Sequence, residues 1–398
     1  MWRSAPEPVD EAAIDAAVTR LDGDLIELRR DIHGHPEIAD QERRTAEVVA
    51  QRLRAAGLGV TTGIGGYGVV GVLEGAHPGR AVAYRADMDA VPPDSQFGGG
   101  PTAAHVCGHD IHTTVGVGVA EVLAGLRDRL TGTVVFVFQP GEETLTGAAA
   151  MLDDGALTAT RPAEIHALHC GPFPVGHFVT TPGYGLPGQD RGTVTLTGPD
   201  AHEQAQRLAA EIGRLGTVSP PATSTDLERL VAEIQTPDGP LARFVFMRAS
   251  VAEASNEVKV SYRCWPEDRH VEVRESIHRL ARSYGGASVA FPGDPFPAMV
   301  CPEQQGRAMT EYLRTTLGED RVPTMHGAIP FSGEDFALFL DRIPGTYTFL
   351  GVRAPGSAVE TSYPHYGAFD PDERAIGHGV RAMAGWLARR ARTEDPAG

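Results

Sequence analysis

Apolar residues recur at three- and four-residue steps from about residue 10 to 33, at Ile14, Val18, Leu21, Leu25, Leu28 and Ile32. That period predicts a helix with one buried stripe. His33-Gly34-His35-Pro36-Glu37 ends it, because the residue before a proline avoids helical backbone. A second helix is predicted over about 42–56, closed by Gly57. The pattern then turns strand-like over 67–73 and again over 80–86. A helix over about 113–127 follows, and then Thr133-Val134-Val135-Phe136-Val137-Phe138, an unbroken apolar run of the kind buried on both faces. Another strand covers 163–169.

From about 188 the character changes. Residues 192–198 alternate as a strand does, and helices are expected over about 203–215 and 225–235. Two more alternating segments, about 243–251 and 257–263, precede a helix over about 268–284. Two strand–helix alternations in about a hundred residues make a compact α/β insert. Phe291-Pro292-Gly293-Asp294-Pro295-Phe296-Pro297 reads as a hinge back to the first domain. The last hundred residues predict helices over about 303–316, 333–340 and 372–391, and a strand over 346–352. The expected organisation is a first domain of residues 1–187, an insert of 188–297, and a return to the first domain over 298–398.

Composition narrows this little but excludes much. A chain of 398 residues is long for one core and suggests two domains. A formal charge of -17 argues against a general nucleic-acid or anionic-membrane surface. No run of about 18 apolar residues predicts a membrane span, and the N-terminus has no apolar signal-peptide core. The cysteines, Cys107, Cys170, Cys264 and Cys301, are scattered. Their dispersion favours a reducing cytoplasm over a disulfide framework.

The chemistry concentrates in His105-Val106-Cys107-Gly108-His109-Asp110-Ile111-His112. Three imidazoles, a thiol and a carboxylate in eight residues are ligands for borderline-soft divalent metals. Cys107 and His109 are two apart, so an extended segment would turn both to one side. A buried thiol flanked by surface histidines would give the same letters. Asp87 and Asp89 end an apolar strand, where open α/β sheets place their sites. The strand over 133–138 runs into Gln139-Pro140-Gly141-Glu142-Glu143; one of these carboxylates could hold metal while the other takes a proton, and a solvated turn is the alternative. His166 and His169 are an odd number apart on a strand, so only one faces the site, and His169 is the better placed. His365 sits in a Pro/Gly-flanked loop, usually a surface setting.

Taken together, Arg85-Ala86-Asp87-Met88-Asp89-Ala90-Val91-Pro92, the Cys107-Gly108-His109-Asp110 stretch, Gly141-Glu142-Glu143, Ser332-Gly333-Glu334-Asp335-Phe336, and His365 with Phe369-Asp370 resemble the di-metal aminoacylase and carboxypeptidase family of metallopeptidases and amidohydrolases. The resemblance is nearest its branch of N-acyl-amino-acid, hippurate and indoleacetyl-amino-acid hydrolases. It implies an α/β fold: a di-metal aminopeptidase-like catalytic domain, with a mixed sheet flanked by helices, interrupted by a smaller α/β lid. It implies two divalent ions (Zn, Mn, Co or Ni) on Cys107, His109, Glu143, His169 and His365, with Cys107 bridging. Glu142 is then the general base, and His202, in the lid, the donor to the developing oxyanion, from its own or a neighbouring subunit. Asp89 and Asp110 are expected to orient ligand imidazoles.

The lid departs from the family pattern. Its histidine stretch is Gly198-Pro199-Asp200-Ala201-His202-Glu203-Gln204. Asn256 and Arg263 match the family's carboxylate-holding pair only nominally, since the intervening proline is absent and the spacing is short. The expected activity is hydrolysis of the amide of a small-molecule N-acyl amino acid or related N-acyl compound. A dipeptidase or carboxypeptidase, a catalytically inactive metal-binding protein and a thiol hydrolase using Cys107 are the competing readings. A cytoplasmic homodimer or higher homo-oligomer is expected.

Overall fold

A computed structural model describes residues 9–392. The chain forms two compact units. The first takes the described residues up to Pro182, Cys301–Thr324, and Leu338 onward; the second takes Gly183–Val300 and Met325–Ala337.

The first unit is built on a seven-stranded mixed sheet. Its strands are β1 Gly59–Ile64, β2 Gly68–Glu74, β3 His77–Asp87, β4 Thr131–Gln139, β5 Ile165–Pro174, β6 Phe178–Thr180 and β7 Gly345–Arg353, in the spatial order β1-β2-β4-β3-β5-β7-β6. The central four, β4, β3, β5 and β7, run parallel, and the outer ones are antiparallel to their neighbours. Helices α1 Glu11–His33, α2 Arg43–Ala55, α3 His109–Gly125, α4 Gly147–Asp153, α5 Glu303–Leu317 and α6 Arg374–Arg390 surround it. The central strands read as unbroken apolar runs because they are covered on both faces: β5 is buried from Ile165 to Phe173 and β7 from Gly345 to Val352. The α/β class and the mixed sheet flanked by helices are as expected.

Two elements differ from the sequence pattern for physical reasons. Strand β1 is almost wholly exposed, so it carries no apolar signature. Helix α3 begins at His109 rather than near 113. Its first turn is made of polar residues that are nonetheless buried, among them His109, Asp110 and His112.

The second unit holds a four-stranded antiparallel sheet, in the order Ser288–Ala290, Asp190–Thr195, Glu257–Trp265, Phe244–Val251. Helices Ala201–Gly213 and His270–Ala281 pack on it through Leu208, Ile212, Val273 and Ile277 against Val194, Val258 and Val260. Asp190, buried in this unit, accepts from Arg274 and from the Tyr262 hydroxyl. Residues Met325–Ala337 join it, as Ala328 N–H donates to the Leu241 carbonyl and Phe331 meets Phe246 edge-on. Sequence had drawn the insert at 188–297. No helix among the described residues is long and apolar enough to cross a membrane.

Candidate metal centre

The site gathers at the carboxyl ends of the parallel strands of the first unit. Asp87 closes β3 in register with Gln139, which closes β4. His169 lies on β5 at the same level, two residues past Ala167, the partner of Arg85. This is the end of an open parallel sheet where ligands are held.

Gly108 forms the N-terminal cap of α3 in the left-handed region, at φ +91°. A Cβ there would lie 2.6 Å from the Cys170 sulfur, so only glycine fits. Cys107 and His109 therefore converge through a left-handed turn into a helix, not through the alternation of an extended segment. On the far side, Gly141 at φ +62° turns the end of β4 and sends Glu142 and Glu143 inward. His365 is a non-glycine residue at φ +69°, clamped by its N–H to the Val106 carbonyl and its C=O to the Phe97 N–H. Such backbone persists only where its surroundings enforce it.

Ligand-type atoms of Cys107, His109 and Glu143 all lie within 4.8 Å of one another. His109 Nε2 is 3.9 Å from Glu143 Oε1, and both atoms are buried without a hydrogen-bond partner. His169 Nε2 is 3.5 Å from Cys107 Sγ, and His365 Nε2 is 3.4 Å from Glu143 Oε2. Glu142 Oε2 is 3.8 Å from His109 Nε2.

The three imidazoles share one arrangement. Nδ1 of His109 faces the Asp89 carbonyl at 2.8 Å, that of His169 the Cys170 carbonyl at 2.8 Å, and that of His365 the Ser95 carbonyl at 3.2 Å. A carbonyl only accepts, so each Nδ1 carries the proton and each Nε2 presents a lone pair inward, as metal-bound histidines do.

A second cluster, Asp87, His109, His112 and His169, also brings ligand-type atoms together. Its hydrogen bonds give it another role. His112 Nε2 accepts from the Cys170 N–H at 2.7 Å, and its Nδ1 meets Asp87 Oδ1 at 2.5 Å. The other oxygen of Asp87 accepts from Arg85 at 2.6 Å. With both nitrogens of His112 committed, this cluster is a wall that holds α3 against β3 and β5. Sequence reading gave His112 no role, though its place three residues after His109 puts both on one helix face.

Without a cation in the site, burial would pull the His109 imidazole down, but Asp87, Asp89 and Glu143 outweigh it and push it up to about 10, so a metal bound at Nε2 would displace a proton there. Burial pushes the Cys107 thiol far up, with Glu143 and Glu142 adding to it. Burial also lifts Glu143. Burial and the neighbouring His112 hold His169 well below its usual range, and so neutral. A thiol and carboxylates crowded into low dielectric beside orphaned nitrogen and oxygen atoms are what a divalent cation relieves. The residues fit a metal centre.

Other expected site residues fall differently. Asp89 meets His109 Nδ1 at 3.2 Å and accepts from the Glu143 N–H at 2.9 Å. Asp110 does not orient a ligand: its carboxylate faces Arg29 and His33, each at 2.8 Å, because the first turn of α3 aims it at α1. His202, Asn256 and Arg263 belong to the second unit. There His202 Nδ1 donates to the Ser255 carbonyl at 2.6 Å, Asn256 donates to the Leu196 carbonyl at 2.6 Å, and Arg263 donates to the Pro187 carbonyl at 3.2 Å.

The model of Peptidase family M20/M25/M40 matches residues 83–389, and the chain belongs to that family. It is 28% identical over 370 residues to the N-acetylcysteine deacetylase of Bacillus subtilis, covering 88% of this chain and 93% of that one. It is 28% identical over 392 residues to thermostable carboxypeptidase 1 of Saccharolobus solfataricus, covering 92% and 95%. The crystal structure of the Bacillus subtilis YXEP protein, described as a dinuclear metal binding peptidase from the M20 family, superposes with a TM-score of 0.71 at 26% identity, over 94% of this chain and 99% of that one. The protein is thus a metal-dependent hydrolase acting on amides, with a centre for two metal ions.

Proposed function

We propose that the enzyme removes the acyl group of an N-acyl amino acid or a related N-acyl compound, with Glu142 as general base. The ions are held by Cys107, His109, Glu143, His169 and His365 and are Zn, Mn, Co or Ni. Bound divalent ions supply a water of lowered pKa and polarise the scissile carbonyl. Glu142 takes the proton of the attacking water and returns it to the leaving nitrogen, which an unactivated amide requires. The observation that carries this reading is Glu142 itself: buried, with a carboxylate oxygen 3.8 Å from the open nitrogen of His109 and next in sequence to Glu143.

His202 is the donor to the developing oxyanion, from its own or a neighbouring subunit of a homodimer or larger assembly in the cytoplasm. Its Nδ1 already donates to Ser255 O and its Nε2 faces the Gln206 amide at 3.0 Å. Asn256 and Arg263 hold the substrate carboxylate.

A carboxypeptidase activity is the second reading, favoured by the likeness to thermostable carboxypeptidase 1. A panel of N-acetyl, N-benzoyl and dipeptide substrates separates the two. Turnover of N-acyl amino acids well above dipeptides supports deacylation, and the reverse order replaces it. Glu142→Gln should abolish turnover at unchanged metal content; retained activity would remove Glu142 from the mechanism.

A further inference from the structure

Glu42 is fully buried, 99 residues away from the turn it touches, and no step above uses it. It stands at the N-terminal cap position of α2 but makes no cap hydrogen bond to its own helix. Glu37 serves that helix instead, accepting from the Arg44 N–H at 2.9 Å and the Thr45 N–H at 2.8 Å. The Glu42 side chain turns away and accepts from the Gly141 N–H at 2.8 Å. Its second oxygen is buried without a partner. Burying a carboxylate this way is costly, and the helix gains nothing from it.

What it touches explains the arrangement. Gly141, Glu142 and Glu143 form one tight turn. Gly141 N–H is held by Glu42, and Glu143 N–H is held at 2.9 Å by Asp89, which is also fully buried. Glu142 is thus flanked on both sides by amides anchored to buried carboxylates. Gly141 is left-handed, and its carbonyl accepts from both Thr146 and Gly147. The turn has no strand pairing past Gln139; its own hydrogen bonds, including Leu145 N–H to the Glu142 carbonyl at 2.7 Å, shape it, and the two buried carboxylates tie its amides to α2 and to the end of β3.

We infer that Glu42 is a positioning residue for Glu142: by holding the Gly141 N–H it fixes the turn that aims the general base. This rests on the reading of Glu142 as that base. A misplacement of about 1 Å in a catalytic group costs roughly 100-fold in rate, so the anchor acts on turnover more than on binding.

The test uses the metal-loaded enzyme with an N-acetyl amino acid substrate. Glu42→Met fills the space and removes the acceptor; Glu42→Gln keeps an acceptor oxygen. Glu42→Met should lower kcat by about 10–100-fold, the usual loss for such outer partners, with KM and metal content unchanged. Glu42→Gln should stay near the parent. Parental kcat in Glu42→Met overturns the inference, as does an equal loss in Glu42→Gln or a loss accounted for by missing metal. Should Glu42→Met not fold, Glu42→Asp decides, since it withdraws the oxygen by about 1.5 Å, one C–C bond. Glu42→Asp activity equal to that of Glu42→Gln then overturns it. Glu142→Gln run alongside keeps the two readings apart. If Glu142→Gln stays active, the base assignment fails; if it is inert while Glu42→Met is normal, only the role of Glu42 fails.

Discussion

His166 and His169 stand three residues apart on β5, and the fold treats them in opposite ways. His166, at the amino end of the strand, has Nδ1 2.9 Å from the Thr346 hydroxyl and Nε2 3.4 Å from Glu164. Its ring meets the edge of Trp386. Glu164 lies 3.3 Å from Arg80, and against its burial His166 and then Arg390, which bonds it, hold its carboxyl down at about 2. Each charge at that end is answered by a neighbour. At the other end His169 Nε2 faces a thiol, His109 Nε2 and Glu143 Oε1 face each other unbonded, and buried acids crowd together. Both ends contain histidine, acid and aromatic side chains. What separates a structural network from a metal centre here is how the ligand-type atoms gather: His166 Nε2 also lacks a hydrogen bond, but it has a single carboxylate 3.4 Å away that Arg390 holds, whereas Cys107, His109 and Glu143 bring three ligand-type atoms within 4.8 Å of one another.

The comparison breaks most completely if the open atoms are removed. His109→Ala or Glu143→Ala should reduce turnover to background and lower bound metal below that of the parent, measured by metal analysis of the purified protein. Chelation should do the same reversibly, and activity surviving chelation would revive a thiol mechanism on Cys107. Next comes Glu142→Gln, with a loss of about 10²–10⁴-fold expected for a general base and metal retained. Asp89→Asn should cost about 10–100-fold, because Asp89 serves both the His109 ring and the Glu143 amide. A metal affinity and kcat equal to the parent in Asp89→Asn would show that the Asp89 carbonyl alone suffices to set the ring.

Much of this was legible in the chain. The buried parallel strands announced themselves as apolar runs, and the long helices by their period. Cys107, His109, Glu143, His169 and His365 were picked out by motif, and the fold brings their side chains together within the first unit. What sequence could not show were dependencies on distant partners. Glu42 looks like any acid at a helix start until its reach to Gly141 is seen. Asp110 was expected beside a ligand, yet its direction is set by Arg29 and His33 of α1. The start of α3 was placed late because buried polar residues resemble a loop in the sequence. Strand β1 was missed because an exposed edge strand needs no apolar positions.

A smaller effect follows from Glu42 through pH. Burial, with Asp89 adding to it, pushes its carboxyl up to about 7. Below the unfolded value, near 4.3, Glu42 is protonated in both states and costs nothing. As pH rises toward 7 the unfolded chain ionises first, so the folded state loses stability over that window. Glu42→Gln cannot ionise and escapes this loss. In the metal-stripped protein its stability relative to the parent should grow between about pH 4.5 and 7, by at most about 3 kcal/mol at 1.36 kcal/mol per unit. Denaturant titrations at four or five pH values measure it, and a difference that stays flat across the window contradicts the assignment.

The smallest effect on catalysis belongs to the closed end of β5. His166→Leu removes an imidazole as buried as His169 and on the same strand. It leaves the Thr346 hydroxyl without its partner and takes one neighbour from Glu164, which keeps Arg390. An unpaired buried hydroxyl costs about 1–3 kcal/mol, so the midpoint of denaturant unfolding should fall. Metal content and kcat should not move, because the partners of His166 are Thr346, Glu164 and Trp386, none of them in the centre. If kcat or metal content fell with stability, the two ends would be one coupled network, and the gathering of ligand-type atoms would no longer tell a structural histidine from a ligand.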